Sequence, residues 1–324
     1  DDAGYDKTAF EKMLEIKGDS DHTKLIDMLT DLNDYSIGIE DVLKEHFDEE
    51  NIVYWMAFQI LMGNVDTQNR NVYLYSPLNS DIWYFIAWDN DGCLMRSEYE
   101  LKNFSDQGSW EKGISNYWGN VLFQRCLKSR SFREKLNDAI LELREYLNKD
   151  MLTSKIESYK NVLKPYLYLM PDAEYEPLTS EQYDQIAASL PDEIEKNYQL
   201  YLESLETPMP FYIGVPTIDG DKLKFNWDVS YDLDAEDITY SVEVARDYLF
   251  QDVIYQNTTL TVPEAEMDLP NAGQYFVRVR ATNTSGKTQD AFDYYVTDEG
   301  KHYGMKCFYI TEDNTVEEDI YEEG

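Results

Sequence analysis

Three acids and an amide stand around a short aromatic segment in the first third of this 324-residue sequence. Asp66 precedes Asn71 by five residues, and Asp89 and Asp91 follow the aromatic segment. Carboxylate and amide oxygens are hard ligands, which suit Mg²⁺ or Mn²⁺ better than a soft metal. The residue types therefore predict an all-oxygen magnesium site, provided that the fold brings these side chains together.

A β-hairpin is the element that must position them. The runs "VYLY" and "WYFIAW" are rich in aromatic and β-branched residues, and the polar segment "SPLNSD" separates them. Antiparallel pairing returns the chain to its starting point, so that Asn71 and Asp89 lie close together at the open end. Asp66 follows a predicted buried helix, "ENIVYWMAFQILM", and a short loop can bring its carboxylate to the same place. An alternative stays open, in which these acids only cap the hairpin and its turns.

Residues 1–205 are predicted to be mostly helical. Segments such as "SRSFREKLNDAILELREYL" and "PDEIEKNYQLYLESL" carry apolar residues at spacings of three and four, which is typical of amphipathic helices. Capping boxes that begin at Ser131 and Ser154, and a helix-opening Pro191, predict where three of the helices start.

The hydrophobic period changes after "ETPMP", residues 206–210, which we predict to be a linker. Residues 211–297 alternate apolar and polar side chains between short turns, and this pattern predicts an antiparallel β-sandwich. Residues 298–324 are predicted to form a short strand and an acidic tail. The predicted fold class is therefore α+β and multidomain.

One loop of the predicted sandwich is also rich in acids. The segment "DVSYDLDAEDITY" can chelate Ca²⁺ between strands, or it can be a hairpin turn in which Asp residues bond to the backbone. The turn is the commoner use of such residues, and the Ca²⁺ site stays as an alternative.

The charge and the rare residues exclude several functions. The sequence has 64 acids and 28 bases, a net charge of −36, which repels nucleic acids and anionic lipids as general partners. Three isolated cysteines and three scattered histidines indicate no disulfide framework, zinc site or Ser/His/Asp triad. The longest apolar run, "IVYWMAFQILMG", is too short to span a bilayer.

The spacing of the acids and the amide is similar to that of protein kinases. Those enzymes place a proton-accepting Asp five residues before a metal-binding Asn, and a hairpin and a metal-binding Asp follow. This sequence has neither HRD nor DFG, which excludes an ordinary kinase. The segments "GNVDTQNRNVYLY" and "WYFIAWDND" resemble the motifs of the CotH kinases, an atypical secreted family, G-N-x-D-x-x-x-x-N-x-Y-L-Y and W-D-x-D. The resemblance covers residues 1–205.

The resemblance implies transfer of phosphate from ATP to Ser or Thr of a protein substrate, with Mg²⁺ or Mn²⁺. It implies that Asp66 orients the substrate hydroxyl and accepts its proton. Asp89 and Asn71 would hold the metal on the nucleotide phosphates, with Asp91 and Asn64 in support. It also implies a secreted or cell-surface protein, as in a spore coat.

One departure affects the expected activity. A kinase also needs a glycine-rich turn over the phosphates and a lysine that pairs with them, and this sequence contains no GxG and no such lysine strand. We expect those parts to precede residue 1, in an N-terminal lobe, and we expect residues 1–324 alone to have little or no kinase activity.

Two other functions stay open. In the first, a non-catalytic adhesion or assembly protein uses the kinase-like part as a scaffold and the sandwich to bind a surface partner. Trp227 and Tyr275 make the sandwich resemble a fibronectin type III domain over residues 211–297. The second, a carbohydrate-active enzyme with paired carboxylates, is weaker, because the kinase spacing explains Asp66 and Asp89 better.

Overall fold

The computed structural model describes residues 21–68, 70–102 and 107–319. Predictions made for residues 1–20 and 320–324 lie outside the described residues. The described part contains eight α-helices and several antiparallel sheets, so the predicted α+β class is confirmed. The helices are Thr23–Asn33 (α1), Ile39–His46 (α2), Glu49–Met62 (α3), Arg96–Lys102 (α4), Val121–Lys128 (α5), Arg130–Tyr146 (α6), Lys149–Leu167 (α7) and Ser180–Glu206 (α8).

Helix α3 lies at the centre of the helical region. It is apolar on all sides, and Ile52, Met56 and Leu61 are fully buried in the core that α3 shares with its neighbours. The Asp48 side chain accepts a hydrogen bond from the Asn51 backbone N–H and caps the helix at its start. Gly63 ends α3 in the left-handed conformation, with φ of 63°. The chain therefore turns sharply just before the candidate site.

The predicted starts of three helices are wrong. Helix α6 is capped by Ser129 rather than Ser131, and α7 is capped by Asn148, so Ser154 lies inside it. Helix α8 begins eleven residues before Pro191, at a capping box of Thr179 and Gln182. A Ser followed three residues later by Glu also occurs on exposed helical faces, so the pattern alone does not mark a helix start.

Pro191 is tolerated inside α8 because the apolar face continues past it. A proline within a helix costs about 3 kcal/mol, since it removes a backbone hydrogen bond. Ala187, Ile194 and Tyr201 are buried at seven-residue intervals on either side of it. Their burial offsets this cost and keeps α8 continuous.

The predicted hairpin is present. Strand β1, Tyr73–Tyr75, pairs antiparallel with β2, Tyr84–Ile86, with Leu74 opposite Phe85. Phe85 is buried against Trp55 of α3, while Tyr73 and Tyr75 face outward. The hairpin is thus packed on α3 by one face.

The remaining strands form the β region. They are Thr217–Asp219 (β3), Lys222–Asn226 (β4), Ile238–Ala245 (β5), Val253–Leu260 (β6), Glu264–Asp268 (β7), Gly273–Asn283 (β8), Thr288–Asp290 (β9), Tyr294–Thr297 (β10), Gly300–Tyr303 (β11), Met305–Ile310 (β12) and Val316–Glu318 (β13). One sheet has the order β3-β4-β7, and the other has the order β13-β12-β8-β5-β6, with β9 on β8; β10 and β11 form a separate pair. Side chains of both larger sheets share one apolar core.

The sheet continues past residue 297, where the sequence predicts the sandwich to end. Strand β12 pairs with β8 along its whole length, and its Phe308 and Ile310 are buried in the core. The segment predicted as a short strand and tail therefore contributes a central strand. Its run "MKCFYI" alternates only in part, because Cys307 is buried on the other face.

The helical and β regions also touch each other. Trp110, between α4 and α5, packs edge-on against Phe292 and Tyr303 of the β region, with ring centroids 5.0 and 6.1 Å away. Met209, within the predicted linker, is fully buried in the helical core.

Candidate functional site

The Asp66 turn follows directly from the end of α3. A short 3₁₀ helix, Asp66–Gln68, begins three residues after Gly63, and the Asp66 carboxylate is exposed. The backbone N–H of Asp66 donates to Oδ1 of Asn64, 3.3 Å away. Asn64 is 1% exposed, so a buried amide supports an exposed acid.

A buried amide network joins this turn to the Asp89 turn. Nδ2 of Asn64 donates to Oε1 of Gln59 at 3.0 Å, and Nε2 of Gln59 donates to Oδ1 of Asn90 at 3.0 Å. Gln59 lies on α3, and Asn90 stands between Asp89 and Asp91. The two acid-bearing turns are therefore fixed to the same helix by side-chain hydrogen bonds.

A second support comes from the segment after α4. The Tyr117 hydroxyl is 2.9 Å from Oγ1 of Thr67, and Nδ2 of Asn116 donates to the Val65 carbonyl at 3.2 Å. Thr67 is fully buried and also donates to the Asn64 carbonyl. These bonds hold the backbone on both sides of Asp66.

The Asp89 turn lies directly against Asp66. Asp89 is left-handed, with φ of 50°, and opens the 3₁₀ helix Asn90–Gly92. A Cβ atom built on Gly92 would lie 3.1 Å from Oδ2 of Asp66 and 3.3 Å from Oδ1 of Asn64. A larger residue there would displace the Asp66 side chain, so glycine permits the close approach of the two turns.

Electrostatics show the same proximity. The charge of Asp91 is the largest cause that raises the pKa of Asp89 above its usual value, followed by desolvation, and the charge of Asp66 raises it further. Burial raises the pKa of the neighbouring Cys93 to about 12, so this thiol stays neutral at physiological pH. The site therefore gathers negative charge from Asp66, Asp89 and Asp91 and has no thiolate nucleophile.

Asn71 lies at the open end of the hairpin, two residues before Tyr73. Its φ is 52°, so Asn71 and Asp89 are both left-handed residues just outside the last paired positions, Tyr73 and Ile86. Asn and Asp adopt this conformation more readily than most residues. Asn71 is half-buried. The structure thus places the Asp89 turn beside Asp66, and it places Asn71 two residues before the first paired position of the hairpin.

A model of the CotH kinase protein family matches residues 1–201. The chain belongs to the CotH kinase family. No match was found among curated proteins. One similar solved structure is surface layer protein SbsC, domains 1–6, at 12% identity and a TM-score of 0.17; the comparison covers 98% of this chain and 42% of that one. The chain thus spans less than half the length of that structure, and so low a TM-score supports no argument about fold.

The CotH match includes the whole candidate site, and the β region lies outside it. Within the described residues, no three His, Cys, Asp or Glu side chains stand close enough to hold a metal ion by themselves. The donor set fits a hard divalent cation through its chemistry, because its oxygens are carboxylates and amides. Among residues 21–68, 70–102 and 107–319, no helix is long and apolar enough to cross a membrane.

The sequence did not predict the residues that support the candidate site. The sequence indicated no role for four residues whose hydrogen bonds hold the acid-bearing turns: Gln59, Thr67, Asn90 and Tyr117. Gln59 had a visible signal, since it is the one strongly polar residue in "IVYWMAFQILM". A buried polar side chain needs a hydrogen-bonding partner, so its presence in an apolar helix indicates a built contact.

Proposed function

We propose that this chain carries the catalytic and metal-binding part of an atypical protein kinase, which transfers phosphate from ATP to Ser or Thr of a protein substrate. The observation that carries the proposal is the convergence of Asp66, Asp89 and Asp91 on two touching turns. Membership of the CotH kinase family supports the same chemistry.

Each acid has a distinct role in this proposal. Asp66 is exposed and free to face the substrate, so it orients the Ser or Thr hydroxyl and takes its proton as the oxygen attacks the γ-phosphorus. The bond from that phosphorus to the bridging oxygen breaks, and ADP leaves. Asp89, with Asn71 and Asp91, would hold Mg²⁺ or Mn²⁺. Bound together with ATP, that ion would neutralise phosphate charge.

This sequence contains no GxG turn, the motif that covers the phosphates in protein kinases. We therefore expect phosphotransfer from a longer protein that supplies a glycine-rich turn and a lysine, and little or none from residues 1–324. Transfer at the same rate by residues 1–324 alone would contradict this expectation.

The test of the function is phosphate transfer from labelled ATP in the longest natural protein that contains this chain. Asp66→Ala should lower the rate by about 10²–10⁴-fold, because the proton acceptor acts in the chemical step, while nucleotide affinity stays close to that of the wild type. Asp81→Ala, at the closed end of the hairpin, is the matched control and should keep the wild-type rate. Wild-type turnover in Asp66→Ala would refute the proposal.

A second candidate function is a non-catalytic adhesion or assembly protein with a kinase-like scaffold. One observation favours it: no group of three metal-ligating acids or histidines is preformed within the described residues. Absence of any ATP or metal binding in the longer protein would support this candidate over the kinase.

We also propose that the β region is a fibronectin type III-like sandwich. Trp227 is buried in its core, and the Tyr275 hydroxyl donates to the Asn271 carbonyl at 2.7 Å, at the start of a central strand. Tyrosines with this bond recur in immunoglobulin-like sandwiches. We further propose that the protein is secreted or lies on the cell surface. Detection of the protein in the culture medium or on the cell surface would test this location.

A further inference from the structure

Helix α8 crosses beneath the candidate site and buries two polar side chains there. Glu193 is 0% exposed and Asn197 is 2% exposed, and they are one helical turn apart. The proposed function assigns no role to either residue. Burying an ionised carboxylate costs several kcal/mol unless hydrogen bonds compensate, so each partner of Glu193 matters.

Glu193 binds the chain just after the Asp89 turn. Its Oε1 accepts from the backbone N–H of Ser97 at 2.8 Å, and its Oε2 accepts from the backbone N–H of Arg96 at 3.2 Å. These N–H groups open α4, where no earlier carbonyl of the helix can accept them. The carboxylate thus fixes the start of α4, five residues after Asp91.

Asn197 binds the chain just before the Asp66 turn. Its Nδ2 donates to the carbonyl of Leu61 at 2.9 Å, and its Oδ1 accepts from Nε of Arg96. A Cβ atom on Gly63 would lie 2.6 Å from Nδ2 of Asn197, so only glycine allows this approach. The end of α3 and the start of α4 are therefore tied to one side chain.

A backbone hydrogen bond also joins the end of α3 directly to the segment that precedes α4. The N–H of Leu94 donates to the carbonyl of Met62 at 2.8 Å. Every acid of the candidate site lies between these two tied points of the chain, Asp66 after the first and Asp89 and Asp91 before the second.

We infer that Glu193 and Asn197, the α8 clamp, are positioning residues that set the distance between the Asp66 turn and the Asp89 turn. The inference rests on the proposed function for its purpose, although the contacts exist without it. Loosening the clamp should separate the two turns, leave the rest of the fold in place and weaken the binding of a divalent cation.

The first experiment measures amide hydrogen exchange in residues 1–324, in the wild type and in Glu193→Gln. The amide of Gln keeps the size of the carboxylate but turns a donor toward one of the two N–H groups, so one hydrogen bond is lost. We expect faster exchange at residues 62–67 and 92–97, and unchanged exchange in strands β5 and β8. Glu195→Gln is the matched control, because Glu195 is an exposed residue of the same helix that pairs with Arg144. Asn197→Ala is a second variant that loosens the other side.

The second experiment measures Mn²⁺ affinity by calorimetry, with Asp89→Ala in parallel. Loss of a supporting contact around a metal site commonly lowers affinity about 10–100-fold, and we expect a fall of this size in Glu193→Gln but not in Glu195→Gln. A folded Glu193→Gln with wild-type exchange at both turns overturns the inference, and so does global unfolding of both clamp variants. If Asp89→Ala weakens Mn²⁺ binding but Glu193→Gln does not, the clamp fails and the proposed function survives. If Asp89→Ala leaves Mn²⁺ affinity unchanged, the proposed metal site is wrong. The hydrogen-exchange data alone then show whether Glu193 and Asn197 hold the two turns.

Discussion

Two acid-rich segments of this molecule have similar composition and opposite surroundings. In the β region, Asp232 is buried, and its Oδ1 accepts from the backbone N–H groups of Asp234 and Glu236 at 2.9 and 3.2 Å. Its Oδ2 accepts from Nδ2 of Asn283 at 2.9 Å. At the hairpin, Asp89 is exposed, and the charge of Asp91 raises its pKa.

The neighbours of an acidic side chain, rather than the acid itself, decide whether it stabilises a turn or is available to a metal ion. N–H donors surround Asp232 and occupy both of its oxygens, which favours the structural turn over the Ca²⁺ site considered for this loop. The hairpin acids face one another, and such repulsion is relieved when a divalent cation binds. Composition alone does not separate the two cases, because both segments are simply rich in Asp.

The largest effect should come from breaking the β-region turn. Asp232→Ala removes the buried acceptor of the Asp234 and Glu236 backbone N–H groups and of Asn283 Nδ2, and loss of hydrogen bonds to a charged group costs about 1.5–3 kcal/mol. Chemical denaturation should show a loss of this size, with unchanged Mn²⁺ affinity. Asp234→Ala is the matched control, because the exposed Asp234 side chain accepts none of these bonds, and its effect should stay within about 0.5 kcal/mol. Equal stability of the two variants would show that the hydrogen bonds of Asp232 do not stabilise the β-region turn.

The next effect concerns the hairpin acids. Asp89→Ala removes an anionic oxygen from the proposed metal site, so Mn²⁺ affinity should fall by about tenfold or more, which corresponds to about 1.4 kcal/mol. The fold should remain, since the side-chain hydrogen bonds that hold the two turns run through Gln59, Asn64 and Asn90 rather than through this carboxylate. Calorimetric titration with Mn²⁺ measures the change. Asp232→Ala is the control, because it should lower the stability of the protein and leave its Mn²⁺ affinity unchanged. Identical Mn²⁺ affinity in Asp89→Ala and the wild type would mean that these acids do not bind the metal.

The sequence allowed the hairpin and the acids at its open end to be predicted, because short aromatic runs and a known spacing are local signals. Helix α3 was equally clear, since an apolar run of that length has few other structures available. The buried bonds from Gln59 to Asn90 and from Glu193 to Ser97 could not be predicted in the same way. They join residues far apart in sequence, so their existence depends on how the helices pack.

The β region shows the same limit. Most of β5 alternates as the sequence predicts, whereas β8 buries three consecutive residues, Tyr275, Phe276 and Val277, and β6 and β7 carry many exposed polar residues. Beyond residue 297 the sequence predicted only a short strand, because the pairing of β12 with β8 joins strands that β9, β10 and β11 separate in the chain. Alternation marks a strand with one buried face and one exposed face, and it is weak at sheet edges.

The smallest expected effect is a gain in stability, in Asp89→Asn without metal. The pKa of Asp89 is raised in the folded state, so its ionised form is disfavoured there relative to the unfolded chain. The resulting penalty is absent well below the unfolded pKa of about 3.9 and is fully present once the pH exceeds the folded pKa. Removal of the charge should therefore raise the melting temperature at pH 7 relative to the wild type, and this advantage should shrink toward pH 3.

The pH dependence separates the effect of removing the Asp89 charge from other effects of the substitution. Asn also suits the left-handed backbone of position 89, with φ of 50°, but that benefit is the same at every pH. The advantage should also shrink in 1 M salt, where the screening length is about 3 Å, because repulsion from Asp91 and Asp66 is then screened. Added Mn²⁺ should reverse the order, since it stabilises the wild type by binding to it and the variant much less. A variant that is less stable than the wild type at pH 7, in low salt and without metal, would show that the hairpin acids do not repel one another, and the contrast with Asp232 would then rest on burial alone.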